Sequence, residues 1–538
     1  MKTLIKSLLI FAVIYMVSSC KDLKELNIDP NNPAKVSTTA LMHGAEMKMM
    51  DYIYDNWFSG RQALPYAQYW AQRTYTEEDR YQIRESTNNN YFNYLYMVAG
   101  NLDLIEKMNT DPATKTEVAL YGDNDTQIAS AKILKIWLMQ VIADTWGSVP
   151  YSEAFKLKEG IVYPKYDDLT ELYPKFITEL NQAIALLDAS KGDAFGSDDL
   201  IYGGSAAQWK KFGNSLKCRL AIRLSKVDPN WKTYIAEAIA SGVFKSNADN
   251  AVFTYSKASP NQSYFYKGFF DDARNDFSIT KPFTDLLKGQ IDTLNPGKTH
   301  PWVGVLDPRL SIYTTPRKGL YKGLPYGLMS SQMDADIRNA SPNFYAGGVV
   351  ENGPMVVQAA FTVPYMTYAE VCFILSEYNN FSTPEYINGI RASFGYWNDN
   401  YTKSFDIKEN PIAAADIDAY VTAVSGTVNA ETVATQKYIH LYMCGTEAWA
   451  EYRRTGYPVT LLKPGEISYN KAGVNLIFEP ISDVKGDLPA RVKYPTNEST
   501  LNGVNFNAAV VKLGGDNNYS SKMYWDVRST ANPHPANK

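Results

Sequence analysis

The chain has 538 residues, with 53 basic against 57 acidic side chains and a formal charge of −4, so nothing in its charge balance favours nucleic acid as a partner. Its length exceeds what a single globular core usually supports, which leaves several domains or a helical array with additions. Tyrosine stands out, with 39 Tyr beside 10 Trp, and rings with a polar edge suit both a core and a wet recognition surface.

The first twenty residues combine basic Lys2 and Lys6, an apolar stretch from Leu8 to Val17, and Ser18-Ser19-Cys20. That order is a secretory signal, too short to span a membrane stably. Small residues before a cysteine resemble a bacterial lipobox, which implies cleavage and acylation at Cys20. Loss of Lys2 and Lys6 with the signal takes the charge to 51 − 57, or −6. Asn27-Ile-Asp-Pro-Asn-Asn-Pro33 then reads as a turn-rich tether, and about 15 extended residues would reach roughly 50 Å. The later cysteines, Cys218, Cys372 and Cys444, fall on apolar helical patterns, as structural thiols do.

Helical periodicity begins in earnest at Asp125, a possible cap, and Ile128, Leu134, Leu138 and Ile142 form a stripe that ends at Trp146-Gly147. A second helix is expected from about Asp168 to Ala189, with Pro174 kinking it or delaying its start. Ser205-Ala-Ala-Gln208 reads as a capping box for a third, and a fourth runs from Trp231 to Ser241 before Gly242. Such spacing predicts helical pairs stacked as in tetratricopeptide repeats. Pairing resumes at Tyr365–Asn379 and at Ser382-Thr-Pro-Glu385, while 243–364 and the last 80 residues are irregular. Tyr438, Leu441, Tyr442, Gly445, Ala448, Trp449 and Tyr452 predict one long helix with an aromatic face, closed by Gly456 and Pro458.

Order of residues adds more. Glu451-Tyr-Arg-Arg-Thr-Gly-Tyr-Pro458 resembles the late-helix signature of the SusD/RagB family of outer-membrane nutrient-binding lipoproteins. Trp146-Gly-Ser-Val-Pro-Tyr-Ser-Glu-Ala154, Tyr386-Ile-Asn-Gly-Ile390, Leu488-Pro-Ala-Arg-Val-Lys-Tyr-Pro495 and Lys522-Met-Tyr-Trp-Asp526 are also similar to that family, in its SusD-like subgroup with an Asn-Pro-rich start. The resemblance implies a mostly α fold. It divides the chain into a signal (1–19), lipidated cysteine and tether (20–38), repeat-like scaffold (39–242), ligand-facing insert (243–364), further helical pairs (365–460) and a closing segment (461–538). It also implies an outer-membrane, lipid-anchored protein that captures glycans and passes them to a TonB-dependent, SusC-like transporter. A peptide receptor, a surface glycoside hydrolase and a ligand-free partner of the transporter are the alternatives.

Catalytic constellations are not legible. Pro296-Gly297-Lys298-Thr299 lacks the first glycine of a phosphate loop, and His43, His300, His440 and His534 are too scattered to suggest metal ligands. Asp271, Asp272 and Asp276 supply carboxylates in sequence only, and solvated loop acids explain them as well. No cofactor, metal or catalytic residue is therefore expected. For a ligand, Tyr66 to Tyr81 supplies rings and planar polar groups: Tyr66 is expected in the core, and Trp70, Tyr75, Arg80 and Tyr81 toward ligand. Tyr264, Tyr266, Asp271 and Asn275 form a second cluster, for recognition or local packing, and Tyr345 a third. Arg453 and Arg454 are assigned to structure.

Overall fold

The computed structural model describes residues 36–528 apart from 275, 342–353, 482 and 485. The expected signal, Cys20 and most of the tether lie outside the described residues, as do the candidates Asn275 and Tyr345.

Helix α1 (Thr38–Ile53) starts where Ser37 accepts a hydrogen bond from the Ala40 N–H. It packs on α2 (Glu85–Thr110), which packs on α3 (Asn124–Trp146), and α3 on α4 (Leu169–Ala189). The cap of α3 is Asp123 and not Asp125: Asp123 Oδ1 accepts the Thr126 N–H at 3.0 Å. Helix α4 starts on time and runs through Pro174, which sits early enough in it to forfeit little of the ladder. Helix α5 (Ala206–Arg223) is capped by Ser205, but the Gln208 amide turns away to the Ala248 carbonyl, so the capping box is half made. Helix α6 (Trp231–Ser241) ends on Gly242 as predicted. The result is the tetratricopeptide-like stacking of consecutive helices expected from the sequence.

A second block holds α7 (Tyr368–Tyr378), α8 (Thr383–Phe405), α9 (Ala414–Val424) and α10 (Ala430–His440). Tyr365 precedes α7 on a strand, where its ring edge meets Trp137. The long final helix is broken in two. Residues 441–444 turn, with Met443 at φ 72°, and α11 (Gly445–Thr455) starts afresh. Gly445 is the reason: a Cβ there would lie 2.6–2.7 Å from the Ala63 and Leu64 backbone, so the chain bends to let two backbones touch. Gly456, at φ 79°, closes α11 in the left-handed conformation.

The irregular insert is stitched to the helices by short strands. Strand β1 (Trp70–Gln72) pairs antiparallel with β3 (Phe277–Ile279), and β2 (Ala251–Thr254) with β4 (Thr362–Met366). Near the end, β5 (Ile467–Lys471) and β6 (Val474–Ile477) form a hairpin. Where the two helical blocks meet, a buried ion network replaces apolar packing. Arg223 of α5 binds Glu447 and Glu451 of α11 at 2.6 Å each, Arg454 binds Glu377 at 2.7 Å, and Arg219 binds Glu370 at 2.6 Å. Arg453 is buried with its guanidinium 3.6 Å from the Trp449 ring and donates to the Asp144 and Ala490 carbonyls. Both arginines of the late signature are therefore structural.

Candidate aromatic binding face

Asn56 and Gly268 bring the site together. With no side chain on Gly268, Asn56 Nδ2 reaches over it to donate to the Tyr264 carbonyl at 2.6 Å. The short helix Tyr264–Phe270 is thereby held against the turn that follows α1. Across that junction Trp57 is 50% exposed and Tyr75 37% exposed.

Guanidinium groups brace both rings. Arg61 Cζ lies 5.0 Å from the Trp57 centroid and 5.3 Å from Tyr75, and Arg274 Cζ lies 5.5 Å and 6.0 Å from the same two rings. Arg84 approaches Tyr75 at 5.3 Å. The cations are themselves fixed: Arg61 binds Glu78 at 2.9 Å and Asp276 at 3.2 Å, Arg84 binds Glu78 at 2.8 Å, and Arg274 binds Asp276 at 3.0 Å. Burial raises Glu78 above its usual range, with Arg61 and Arg84 pulling it back. Backbone pairing of β1 with β3, extended by Arg73 N–H to the Asp276 carbonyl at 2.5 Å, sets the spacing of these parts.

Beside this platform opens a cavity of about 320 Å³. Tyr52 and Tyr94 stack at 4.5 Å on one side of it, and Trp57 and Tyr264 also line it. Asp51 and Asp55 contribute carboxylates. Burial pushes Asp55 up to about 7, opposed by the N–H groups of Ser59, Phe58 and Trp57. A larger cavity of about 640 Å³ lies elsewhere, among Lys281, Lys288, Lys322, Ile291, Leu320 and Tyr321. Its walls are chiefly aliphatic and cationic, so the smaller aromatic one is the better match to a flat polar ligand.

Of the residues proposed from sequence, Tyr75 and Tyr264 come to this face. Asp271 is exposed at the end of the short helix, while Tyr266 turns its ring to Phe270 at 4.8 Å. Trp70 is a correction: it is wholly buried on β1, its Nε1 donates to the Tyr442 hydroxyl at 3.0 Å, and Phe265 and Phe277 enclose it. Tyr81 is likewise buried, edge-on to Tyr66 and Phe478, and Tyr66 is in the core as expected. Arg80 is half-buried and donates from Nε to the Glu479 carbonyl at 2.6 Å, which commits it to the closing segment. Asp276 is buried between Arg61 and Arg274, while Asp271 and Asp272 are exposed, so the three acids do not form an enclosed pair. Sequence reasoning missed Trp57, Tyr52, Tyr94 and Asp55. A tryptophan in the turn after a helix, four residues before an arginine, was the available signal.

Lys298 of the glycine-lysine-threonine run binds the Leu461 carbonyl and Glu466, as a clamp on the closing segment. Among the described residues no helix is long and apolar enough to cross a membrane.

No curated protein matches the chain. Solved structures do. A chitin-binding protein is 25% identical with a TM-score of 0.72, over 91% of this chain and 100% of that one. A SusD homolog from Parabacteroides distasonis is 21% identical with a TM-score of 0.71, over 91% and 97%. A chitin-binding SusD homolog from Flavobacterium johnsoniae is 22% identical with a TM-score of 0.66, over 91% and 99%. The family model described as starch-binding and associating with the outer membrane matches residues 30–477, and the chain accordingly belongs to that SusD-like family.

Proposed function

We propose that this protein is a non-catalytic receptor that captures oligosaccharides on the Trp57–Tyr75 face and delivers them to a TonB-dependent, SusC-like transporter. In this reading it is held at the outer membrane through a lipid on Cys20 and faces the cell exterior. The observation that carries the reading is the pair of half-exposed rings braced by Arg61 and Arg274 beside an aromatic cavity. A pyranose presents an apolar face to such rings and hydroxyls to the surrounding polar groups. Each stacking contact contributes about 0.5–1.5 kcal/mol, so a few give an affinity weak enough for release. Two likenesses, to the chitin-binding protein and to the chitin-binding SusD homolog, support a saccharide as the ligand.

The test is a binding screen of the purified protein against polysaccharides, oligosaccharides and peptides, with every retained ligand checked for cleavage. Retention of one glycan class without products supports capture. Peptide retention alone, or release of shortened sugars, overturns it. Co-purification with a transporter from outer membranes, lost in a Cys20→Ala variant, tests delivery and anchoring.

A further inference from the structure

The cavity beside the platform has a chemistry that a neutral sugar does not use. Among the described residues its ionisable lining consists of two carboxylates, Asp51 and Asp55, and the phenols Tyr52, Tyr91, Tyr94 and Tyr264, with no lysine, arginine or histidine. The cations nearby are engaged. Lys48 binds Asp51 at 3.2 Å, Lys267 lies 4.7 Å over the Tyr264 ring, and Arg61, which bears on Asp55 across the turn, is bound by Glu78 and Asp276. Asp55 therefore lines the cavity with no ion pair among the described residues: the Ser59 N–H donates to it at 3.0 Å, and the Phe58 and Trp57 N–H groups also favour its charge. A half-buried carboxylate held by neutral N–H groups alone gains from an added cation, and electron-rich ring faces favour the same charge.

We propose that this cavity receives a protonated primary amine of the bound saccharide, that of a hexosamine unit whose nitrogen carries no acyl group. Asp55 is its counter-ion, and the Tyr52, Trp57, Tyr94 and Tyr264 rings surround it. The proposal rests on the saccharide-capture reading and adds the ligand's charge to it. An acylated nitrogen brings no charge to the cavity and leaves Asp55 unpaired.

The pH dependence has a definite sign. Burial holds Asp55 near 7, so the carboxylate that pairs with an ammonium is present above that value and lost below it. Lys48 and Lys267 act on Asp51 and pull it down against burial, and Arg61 does the same for Asp55. Preference for the amine-bearing ligand should thus grow from about pH 5.5 to about pH 7, although the amine itself becomes less charged over that interval.

Titration calorimetry of the purified full chain with glucosamine oligomers of one length, fully N-acetylated and fully deacetylated, decides the matter. The deacetylated oligomer should bind at least about tenfold tighter near pH 7, and Asp55→Asn should bring the ratio close to one. Asparagine retains the oxygen that caps Ser59. Should that variant not fold, the rise of the ratio with pH in the unaltered protein is the second readout. Equal affinity for both oligomers, or tighter binding of the acetylated one, overturns the amine proposal and leaves saccharide capture standing. Binding of neither, with retention of a lysine-rich peptide, overturns both.

Discussion

Arg223 Nη1 meets Glu451 Oε1 at 2.6 Å with both side chains buried, and this pair bridges the two helical blocks. Replacing Arg223 by Met leaves Glu447 and Glu451 enclosed with one cation fewer. The expected loss is about 3–5 kcal/mol, read as a lower urea midpoint. An unchanged midpoint would show that the network contributes nothing. Burial pushes Glu451 up, but Arg454, Lys437 and Arg223 outweigh it and hold the carboxyl well below its usual range. Its stabilisation is complete above the unfolded value near about 4.3 and disappears as pH falls through the folded one.

Glu46 has the opposite sign. Burial above all, then the neighbouring Asp199, holds its carboxyl well above the usual range, with the Leu200 N–H opposing. A raised carboxylate costs stability once pH exceeds its unfolded value. Glu46→Gln should raise the urea midpoint at about pH 8 and leave it nearly unchanged below about pH 4, where the carboxyl is protonated in both states. A larger gain at the lower pH would contradict this account.

Two tryptophans separate binding from folding. Trp57→Ala removes a half-exposed ring and should weaken glycan retention about tenfold with the melting transition in place. Trp70→Ala opens a core cavity and should cost about 3–5 kcal/mol of stability. If the two variants exchanged these phenotypes, the assignment of the face would be wrong.

Gly445→Ala places a Cβ 2.6–2.7 Å from the backbone of Ala63 and Leu64, where neither chain can yield cheaply. A loss of about 1–3 kcal/mol is expected, again by urea titration. Wild-type stability would mean that the two backbones can separate without loss of packing.

What the sequence made legible follows from range. Stripes such as Leu134 to Ile142 depend on neighbours one turn away, and α3 to α6 form close to where they were expected. Trp70 was misplaced because its burial is decided by β3, whose Ile279 is its partner in the ladder. The break before Gly445 was hidden in an uninterrupted apolar pattern, since the cause is a backbone contact with Ala63. Tyr75 and Tyr264, singled out by ring density and the family resemblance, lie on the candidate binding face. Trp57 was not singled out, because its exposure depends on the course of the chain after α1 and on Asn56 reaching across Gly268.

The pairing of Trp70 with Ile279 also dictates when the Trp57–Tyr75 face can form. Loop closure over that separation must precede any reward from the ladder, so the helices before it can assemble from local contacts while the face waits. A chain with only its first 240 residues folded has the early helices but neither β3 nor Arg274, and so lacks the brace of the Trp57–Tyr75 pair. The exposed rings are set in place late, after the scaffold that carries them.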